Sequence, residues 1–185
     1  MNTLPAWPSW PIWDTHELKL LTEVLESGRW AYNGPMEEQA TDLWRNYISV
    51  PHAFFVANGT VSLQIALESL GVGYGDEVIV PALTWQATAA AVIDVNAVPI
   101  LVDVEPDTWC MDPDRLEEAI TERTRAIIVV HLYGNTADMD RIMKIATSHG
   151  LRVIEDAAHK QGGAWRDQMI GSIGDIGSFS LQQAK

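Results

Sequence analysis

The chain has 185 residues, of which 47% are hydrophobic, and this composition is typical of a single globular domain with a filled core. Its formal net charge of −13 argues against nucleic acid or an anionic membrane surface as the main partner, although local dipoles can still attract a small anion. The single cysteine, Cys110, excludes an intramolecular disulfide and fits a reducing compartment. Because we find no signal peptide and no apolar run near the roughly 20 residues of a membrane span, we expect a cytoplasmic protein.

The first 14 residues form an arm rich in proline and tryptophan. Proline is unsuited to the interior of a helix and to a central strand, so the arm is predicted to be extended. Trp7, Trp10 and Trp13 would be costly to leave in water. We expect residues 1–14 to pack on the body of the protein or on a second subunit, and a tag-like tail is the alternative. Residues 15–185 are predicted to form one domain.

Two amphipathic helices are predicted after the arm. The first begins at Thr15, whose hydroxyl can cap it, and ends at Gly28. Its leucines recur at the spacing of one helical face. The second helix is predicted over residues 36–47.

Beyond the second helix, short apolar runs alternate with helical stretches. The apolar runs predict strands over residues 52–57, 77–81, 98–104, 126–131, 152–155 and 177–181. Helices are predicted over residues 61–70, 86–95, 114–120 and 139–148. Runs such as 127–130 are apolar throughout, which indicates strands that are covered on both faces. The predicted fold class is therefore α/β, with a mostly parallel sheet flanked by helices.

Residues Asn58, Gly59 and Thr60 join a predicted strand to a predicted helix. The first backbone N–H groups of a helix attract a phosphate, and glycine lets the phosphate come close. Thr60 adds a hydroxyl donor. The pattern indicates a phosphate site at Gly59 and Thr60, and the alternative is an ordinary Asn-Gly turn followed by a capping threonine.

Trp85 follows the strand predicted at 77–81 and precedes the helix predicted at 86–95. This position predicts that Trp85 lies at the same rim of the sheet as Gly59. A flat cofactor ring needs an aromatic face on which to stack. The pattern indicates Trp85 as the stacking residue, and the alternative is a tryptophan of the core.

Asp156 directly follows the apolar strand predicted at 152–155. A buried aspartate needs a partner, and a protonated pyridine nitrogen is a suitable one. His159, three residues further on, could reach a phenolic oxygen on such a ring. The alternatives are that Asp156 caps a following helix and that the backbone satisfies His159.

Ser180 and Lys185 lie at the end of the chain. A lysine amine forms a Schiff base with an aldehyde once it has lost its proton, whereas a terminal lysine taken alone is most often a solvated charge. Pyridoxal phosphate requires three such parts of a protein, which are a small-residue turn for its phosphate, an aspartate for its ring nitrogen and a lysine for its aldehyde. No metal site is predicted.

Several segments together resemble the sugar aminotransferase family of pyridoxal-phosphate enzymes, often named for DegT, DnrJ, EryC1 and StrS. The segments are residues 58–60, 75–81, 85, 131–134, 155–159 and 178–180, with Lys185. The resemblance covers almost all 185 residues. It implies the large domain of a fold type I transferase, and it implies that a glycine-rich segment and a smaller C-terminal domain are absent from this chain.

The resemblance also implies how the phosphate is held. Thr60 and its neighbouring amides, which include that of Gly59, would bind the phosphate together with Ser180. These residues belong to two segments that lie far apart in the sequence, so the implied site depends on the fold bringing them together.

Further roles implied by the resemblance concern the ring. Trp85 would stack on the pyridine ring, Asp156 would pair with its nitrogen and His159 would lie near its phenolic oxygen. Lys185 would form the Schiff base and then move the proton between the two carbon centres. Asp156 and Lys185 are thus the implied catalytic residues.

His159 distinguishes this chain from many family members, which have glutamine there. The histidine is similar to the branch that aminates cyclitol ketones and to the aminohydroxybenzoate synthases. The implied function is transfer of an amino group from glutamine or glutamate to a keto-cyclitol or keto-sugar in amino-sugar or antibiotic biosynthesis, by a homodimer with shared active sites. An aromatising dehydratase similar to 3-amino-5-hydroxybenzoate synthase and a non-catalytic truncated paralogue are the alternatives. A related group of dehydratases has histidine in place of the lysine, and Lys185 argues against that chemistry.

Overall fold

A computed structural model describes residues 11–30 and 34–182 of the chain. The helices are α1 (Thr15–Ser27), α2 (Pro35–Ile48), α3 (Gly59–Ser69), α4 (Ala87–Asp94), α5 (Pro113–Glu118) and α6 (Met139–His149). The strands are β1 (Glu77–Pro81), β2 (Val98–Val102), β3 (Thr124–Val130), β4 (Arg152–Asp156), β5 (Ala164–Trp165), β6 (Gln168–Met169) and β7 (Ile176–Ser178). Among the described helices, none is both long and apolar enough to cross a membrane.

The chain divides into two compact units, one before and one after the junction of Trp44 and Arg45. The predicted division into an arm at 1–14 and a domain at 15–185 stays a prediction, and the first ten residues of that arm lie outside the described residues. Lys185 also lies outside them.

Helix α1 begins at Thr15, as predicted, but its N-cap lies one residue before the predicted one. Asp14, not Thr15, is the N-cap, because its carboxylate accepts a hydrogen bond from the N–H of His16 at 2.6 Å. Glu17 accepts in return from the N–H of Asp14 at 2.8 Å, which completes a capping box. The prediction that Gly28 ends the helix is confirmed, since this glycine adopts a left-handed φ of 64°.

The second unit contains a parallel sheet whose strand order, within the described residues, is β2-β1-β3-β4-β7. All four pairings of neighbouring strands are parallel. This confirms the predicted α/β class. Because the chain moves from β1 to β2 on one side and then crosses to β3 on the other, the order reverses between β1 and β3. The carboxyl ends of strands at such a reversal form a crevice in which ligands bind.

Helices cover both faces of the sheet, as the uninterrupted apolar runs predict. On one face, Val80, Ile128 and Ile154 form a core cluster with residues of α3 and α4. On the other face, Ile127 and Val153 form a second cluster with residues of α5 and α6. Since successive side chains of a strand point to opposite faces, the three central strands β1, β3 and β4 each contribute to both clusters.

One predicted strand is wrong. Residues 52–57 adopt irregular structure, and the side chains of Phe54 and Phe55 in this run are 69% and 38% exposed. A strand requires a neighbour that completes its hydrogen-bond ladder, and an apolar run by itself does not reveal whether an edge is available. The small antiparallel hairpin of β5 and β6 was not predicted, because two residues per strand are too few to show an alternating pattern.

Candidate functional site at the carboxyl ends of the strands

The loops that follow the parallel strands converge on one rim of the sheet. In register, Val130 of β3 pairs with Asp156 of β4, and Asp156 pairs with Ser178 of β7. The ladder continues just beyond the strands, where the N–H of Ala157 donates to the carbonyl of Ser178 at 2.8 Å. Residues that follow these strands are therefore placed side by side, as the parallel arrangement requires.

Gly59 and Ser180 are brought together at this rim. Gly59 opens α3, and Asn58 caps the helix by accepting from the N–H of Val61 at 3.0 Å. A Cβ atom added to Gly59 would lie 3.6 Å from the carbonyl oxygen of Phe179 and 3.7 Å from Cβ of Ser180. The sequence pattern that predicted a phosphate site thus lies directly beside the second segment assigned to that site.

Thr60 lies in the first turn of α3, which contains no acidic residue. A helix start without carboxylates keeps its partial positive charge uncompensated and favours an anion. A hydrogen bond links the first turn of α3 to β7, since Oγ of Ser178 donates to Oγ of Ser62 at 2.9 Å. Ser180 itself accepts at Oγ from the N–H of Gln182 at 3.3 Å.

Trp85 lies in the loop between β1 and α4, and 64% of the residue is exposed. The alternative of a core tryptophan is therefore wrong. The carbonyl of Trp85 accepts from the N–H of Thr88 at 3.1 Å, which connects the loop to the first turn of α4. An exposed indole at the rim offers a flat apolar face to a ligand.

Asp156 is only 7% exposed and is hydrogen-bonded to residues on two separate segments. Its Oδ2 accepts from Oγ1 of Thr88 at 3.0 Å, and its Oδ1 accepts from the N–H of Ala158 at 3.2 Å. The alternative that Asp156 caps a following helix is wrong, since residues 157–163 form turns. Asp156 is thus a buried, hydrogen-bonded carboxylate, and its pairing with a ring nitrogen stays a prediction.

His159 is half-buried and stacks on Tyr133, with the ring centroids 5.5 Å apart and the planes inclined by 18°. Its Nδ1 accepts from the backbone N–H of Tyr133 at 3.4 Å. Tyr133 adopts a left-handed φ of 51°, which is uncommon for a residue other than glycine. Because Nδ1 accepts, the neutral ring carries its proton on Nε2, where it can donate. The backbone thus satisfies one ring nitrogen, as the alternative for this histidine anticipated.

Glu155 was not predicted as part of the site. It is completely buried on the opposite face of β4 from Asp156, where Nε2 of His131 donates to its Oε2 at 3.2 Å. Its carboxylate also accepts from the N–H groups of Gly171 at 2.9 Å and of Ile173 and Gly174, both at 2.7 Å. Glu155 therefore ties the strand that carries Asp156 to the segment that leads into β7.

The electrostatics of Glu155 reflect two opposing effects. Burial raises the pKa of this carboxyl, but hydrogen bonds from His131 and from the amides of Gly174 and Gly171 lower it more, so that the pKa lies below its ordinary value of 4.5. Glu155 is thus a buried carboxylate that its donors keep ionised. A sequence signal did exist, since a glutamate inside an apolar strand must find a partner.

Thr88 is a second residue that sequence reasoning missed. It is completely buried, and its hydroxyl lies between Oγ1 of Thr84 at 2.8 Å and Oδ2 of Asp156. Nothing in the local sequence indicates this contact, because 68 residues separate Thr88 from Asp156.

The chain belongs to the DegT/DnrJ/EryC1/StrS aminotransferase family, whose model matches residues 11–185. It is 50% identical over 185 residues to L-glutamine:scyllo-inosose aminotransferase of Streptomyces griseus. That alignment covers 97% of this chain and 44% of the relative, so the chain spans less than half the length of this curated relative.

Solved structures of related enzymes have the same fold. The crystal structure of 3-amino-5-hydroxybenzoic acid synthase matches with a TM-score of 0.92 at 36% identity, over 99% of this chain and 48% of that one. NtdA from Bacillus subtilis, whose crystal structure contains the bound cofactor PMP, matches with a TM-score of 0.77 at 44% identity. This match covers 80% of this chain and 34% of NtdA.

Proposed function

We propose that this chain provides the cofactor-binding part of a pyridoxal-phosphate-dependent aminotransferase. The observation that carries the proposal is the convergence, at one rim of the parallel sheet, of a buried hydrogen-bonded carboxylate, an uncompensated helix N-terminus and an exposed indole. These features belong to Asp156, α3 and Trp85. They match the three chemical parts of the cofactor, which are a ring nitrogen, a phosphate and a flat ring.

The residues at the rim fit pyridoxal phosphate. The first turn of α3, with Gly59 and Thr60, would hold the phosphate together with the hydroxyl of Ser180. Gly59 suits this role because it lies beside Ser180 and because glycine lets a ligand approach the backbone closely. Trp85 would stack on the ring, and His159 would donate from Nε2 to the phenolic oxygen.

The catalytic roles would fall to two residues. When bound, the cofactor supplies an electron sink that stabilises negative charge on a substrate carbon. Asp156 would hold a proton on the ring nitrogen, because a buried carboxylate favours a cationic partner. Lys185 would bond to the aldehyde carbon and then, as a free amine, carry a proton between substrate carbon atoms.

The name of the Streptomyces griseus relative supports glutamine as amino donor and scyllo-inosose as acceptor. We extend the proposal to a cyclitol ketone as the substrate class, with the amine serving antibiotic biosynthesis. A homodimer with shared active sites is also part of the proposal, and so is a cytoplasmic location. Size-exclusion chromatography of the natural polypeptide tests the dimer.

The test of the activity is to incubate the purified natural polypeptide with pyridoxal phosphate, glutamine and scyllo-inosose, and to detect the amine by mass spectrometry. We expect product from the unaltered protein and none from Lys185→Ala. Lys144→Ala removes an exposed lysine on α6 and serves as the matched control, which should retain activity. Undiminished product from Lys185→Ala would contradict the assigned role of Lys185, and a natural polypeptide that binds no cofactor would instead support a non-catalytic paralogue.

A second candidate function is supported by the match to 3-amino-5-hydroxybenzoic acid synthase over 99% of this chain. Such an enzyme would remove water and form an aromatic ring. Offering a cyclic amino ketone acid whose dehydration yields 3-amino-5-hydroxybenzoic acid in place of scyllo-inosose separates the two, since an aromatic product absorbs in the near ultraviolet and an aminocyclitol does not. Aromatic product without aminocyclitol would favour this second function.

A further inference from the structure

Two hydroxyl groups and one carboxylate group form a hydrogen-bond chain beneath the rim. Oγ1 of Thr84 lies 2.8 Å from Oγ1 of Thr88, which lies 3.0 Å from Oδ2 of Asp156. Thr88 is completely buried and Asp156 nearly so. These hydrogen bonds join the loop of Trp85 and the adjacent first turn of α4 to the end of β4, which is distant from both in sequence.

The donor and the acceptor of each hydrogen bond in this hydrogen-bond chain follow from the number of protons that each group can donate. An ionised Asp156 only accepts, so the hydroxyl of Thr88 must donate its single proton to Oδ2. The oxygen of Thr88 then accepts from the hydroxyl of Thr84, because Thr88 has no second proton to give. A hydrogen bond to a charged acceptor is stronger than one between neutral groups, and each member of the chain polarises the next.

Threonines in helices commonly return their hydroxyl to a carbonyl one turn earlier in the same helix. Thr88 donates to a carboxylate on the neighbouring strand instead. The other oxygen of Asp156, Oδ1, accepts from the N–H of Ala158 at 3.2 Å. Because the two donors approach opposite oxygens, they oppose rotation of the carboxylate about its Cβ–Cγ bond.

We propose that Thr88 is a positioning residue that sets the orientation of the Asp156 carboxylate toward the ring nitrogen of the cofactor. This inference rests on the proposed function, since it presupposes that Asp156 binds the ring. Thr88 touches Asp156 rather than the cofactor. Thr84 supports Thr88 from the loop that carries Trp85, so the stacking residue and the ring-nitrogen partner are held by one hydrogen-bond chain.

The test is cofactor affinity, measured by titrating the apo form of the natural polypeptide with pyridoxal phosphate. Thr88→Val replaces the hydroxyl by a methyl group of similar size, and we expect about tenfold weaker binding, typical of a lost hydrogen bond to a charged group. Thr88→Ser keeps the hydroxyl and should bind within about twofold of the unaltered protein. Urea unfolding of each variant reports whether it folds.

A double-mutant cycle separates positioning from general stability. If Thr88 acts through Asp156, Thr88→Val should have almost no further effect on affinity when Asp156 is already replaced by Asn. An equal loss of affinity in both backgrounds would overturn the inference, and so would a Thr88→Val variant that binds as tightly as the unaltered protein. If Thr88→Val does not fold, Thr84→Val tests the same chain, and unchanged affinity in that variant overturns the inference. Absence of saturable binding by the unaltered protein would overturn the proposed function itself.

Discussion

Nε2 of His131 lies 3.2 Å from Oε2 of Glu155, and both side chains are completely buried. The opposite ring nitrogen of His131, Nδ1, accepts from the N–H of Ala137 at 3.3 Å. Nδ1 is therefore the acceptor of a neutral imidazole, and Nε2 carries the proton that it donates to Glu155. This pair lies directly behind Asp156 and connects the ends of β3 and β4 to the segment before β7.

The first prediction concerns the charge of Glu155. In Glu155→Gln, the amide NH₂ must face backbone N–H groups or His131, which leaves buried donors without an acceptor. We expect a loss of about 3 kcal/mol in the free energy of unfolding, as for other broken buried pairs. Urea unfolding measures it. Glu122→Gln, at an exposed position, should change the same quantity by less than about 0.5 kcal/mol, and equal midpoints for the two variants would contradict the prediction.

A second prediction follows from the pKa of Glu155, which is lowered although burial opposes the shift, because the hydrogen bonds from His131 and from backbone amides outweigh burial. A carboxyl with a lowered folded-state pKa contributes stability that is complete above its unfolded value, here 4.5, and is lost as pH falls through the folded value. We therefore expect the free energy of unfolding to decrease below about pH 4.5.

The matched comparison for this pH dependence is again Glu155→Gln, which should show a shallower decrease. Part of the decrease should remain, because the pKa of Glu77 is also lowered by hydrogen bonds from Thr121 and Arg123. Urea unfolding midpoints of the variant and of the unaltered protein, taken between pH 7 and pH 3, measure how steeply the stability of each falls with pH. Identical slopes in the variant and the unaltered protein would show that Glu155 contributes nothing to the pH dependence.

A third prediction concerns Gly171, which has a φ of 90° and donates to Glu155. A Cβ atom at this position would overlap the ring of Phe179, so Gly171→Ala combines backbone strain with overpacking. Gly150→Ala is the control, because that glycine has a φ of 65° and no atom within 4 Å of an added Cβ. We expect Gly171→Ala to be less stable than the control by about 1–3 kcal/mol in thermal or urea unfolding. Equal losses would mean that Phe179 moves aside freely.

A fourth prediction separates two roles of Asn58. Asn58→Ala removes the cap of α3 and should lower the free energy of unfolding by about 1 kcal/mol. Asn58→Asp keeps an oxygen that can cap but adds negative charge beside the proposed phosphate site, so we expect near-normal stability and weaker binding of pyridoxal phosphate. Calorimetric titration measures the affinity. Tighter binding by Asn58→Asp would place the phosphate elsewhere.

Much of the fold could be predicted from the sequence because its signals are local. The apolar run at 127–130 indicates a strand buried on both faces, and β3 is one. Gly28 ends α1 because a left-handed residue is needed there, a requirement that depends on one position alone. The positions of Trp85 after β1 and of Asp156 at the end of β4 likewise indicate a shared rim, since parallel strands point their carboxyl ends the same way.

The parts that the sequence could not predict depend on neighbours that are distant along the chain. The run at 52–57 is as apolar as a strand, yet it has no ladder partner among the described residues. Whether a segment finds a neighbouring strand depends on how the whole sheet assembles, which a local apolar run does not reveal. The role of Lys185 stays a prediction, since that residue lies outside the described part of the chain.

The sequence by itself determined which residue types this protein can offer to a cofactor and the order in which the sheet presents them, because hydrophobic periodicity and turn chemistry act over a few residues. Only the tertiary structure decided how those residues are held. The hydroxyl of Thr88 donates to Asp156, and Glu155 accepts hydrogen bonds from three backbone amides and from His131. These contacts form because strand pairing and helix packing place segments side by side that no local sequence pattern connects.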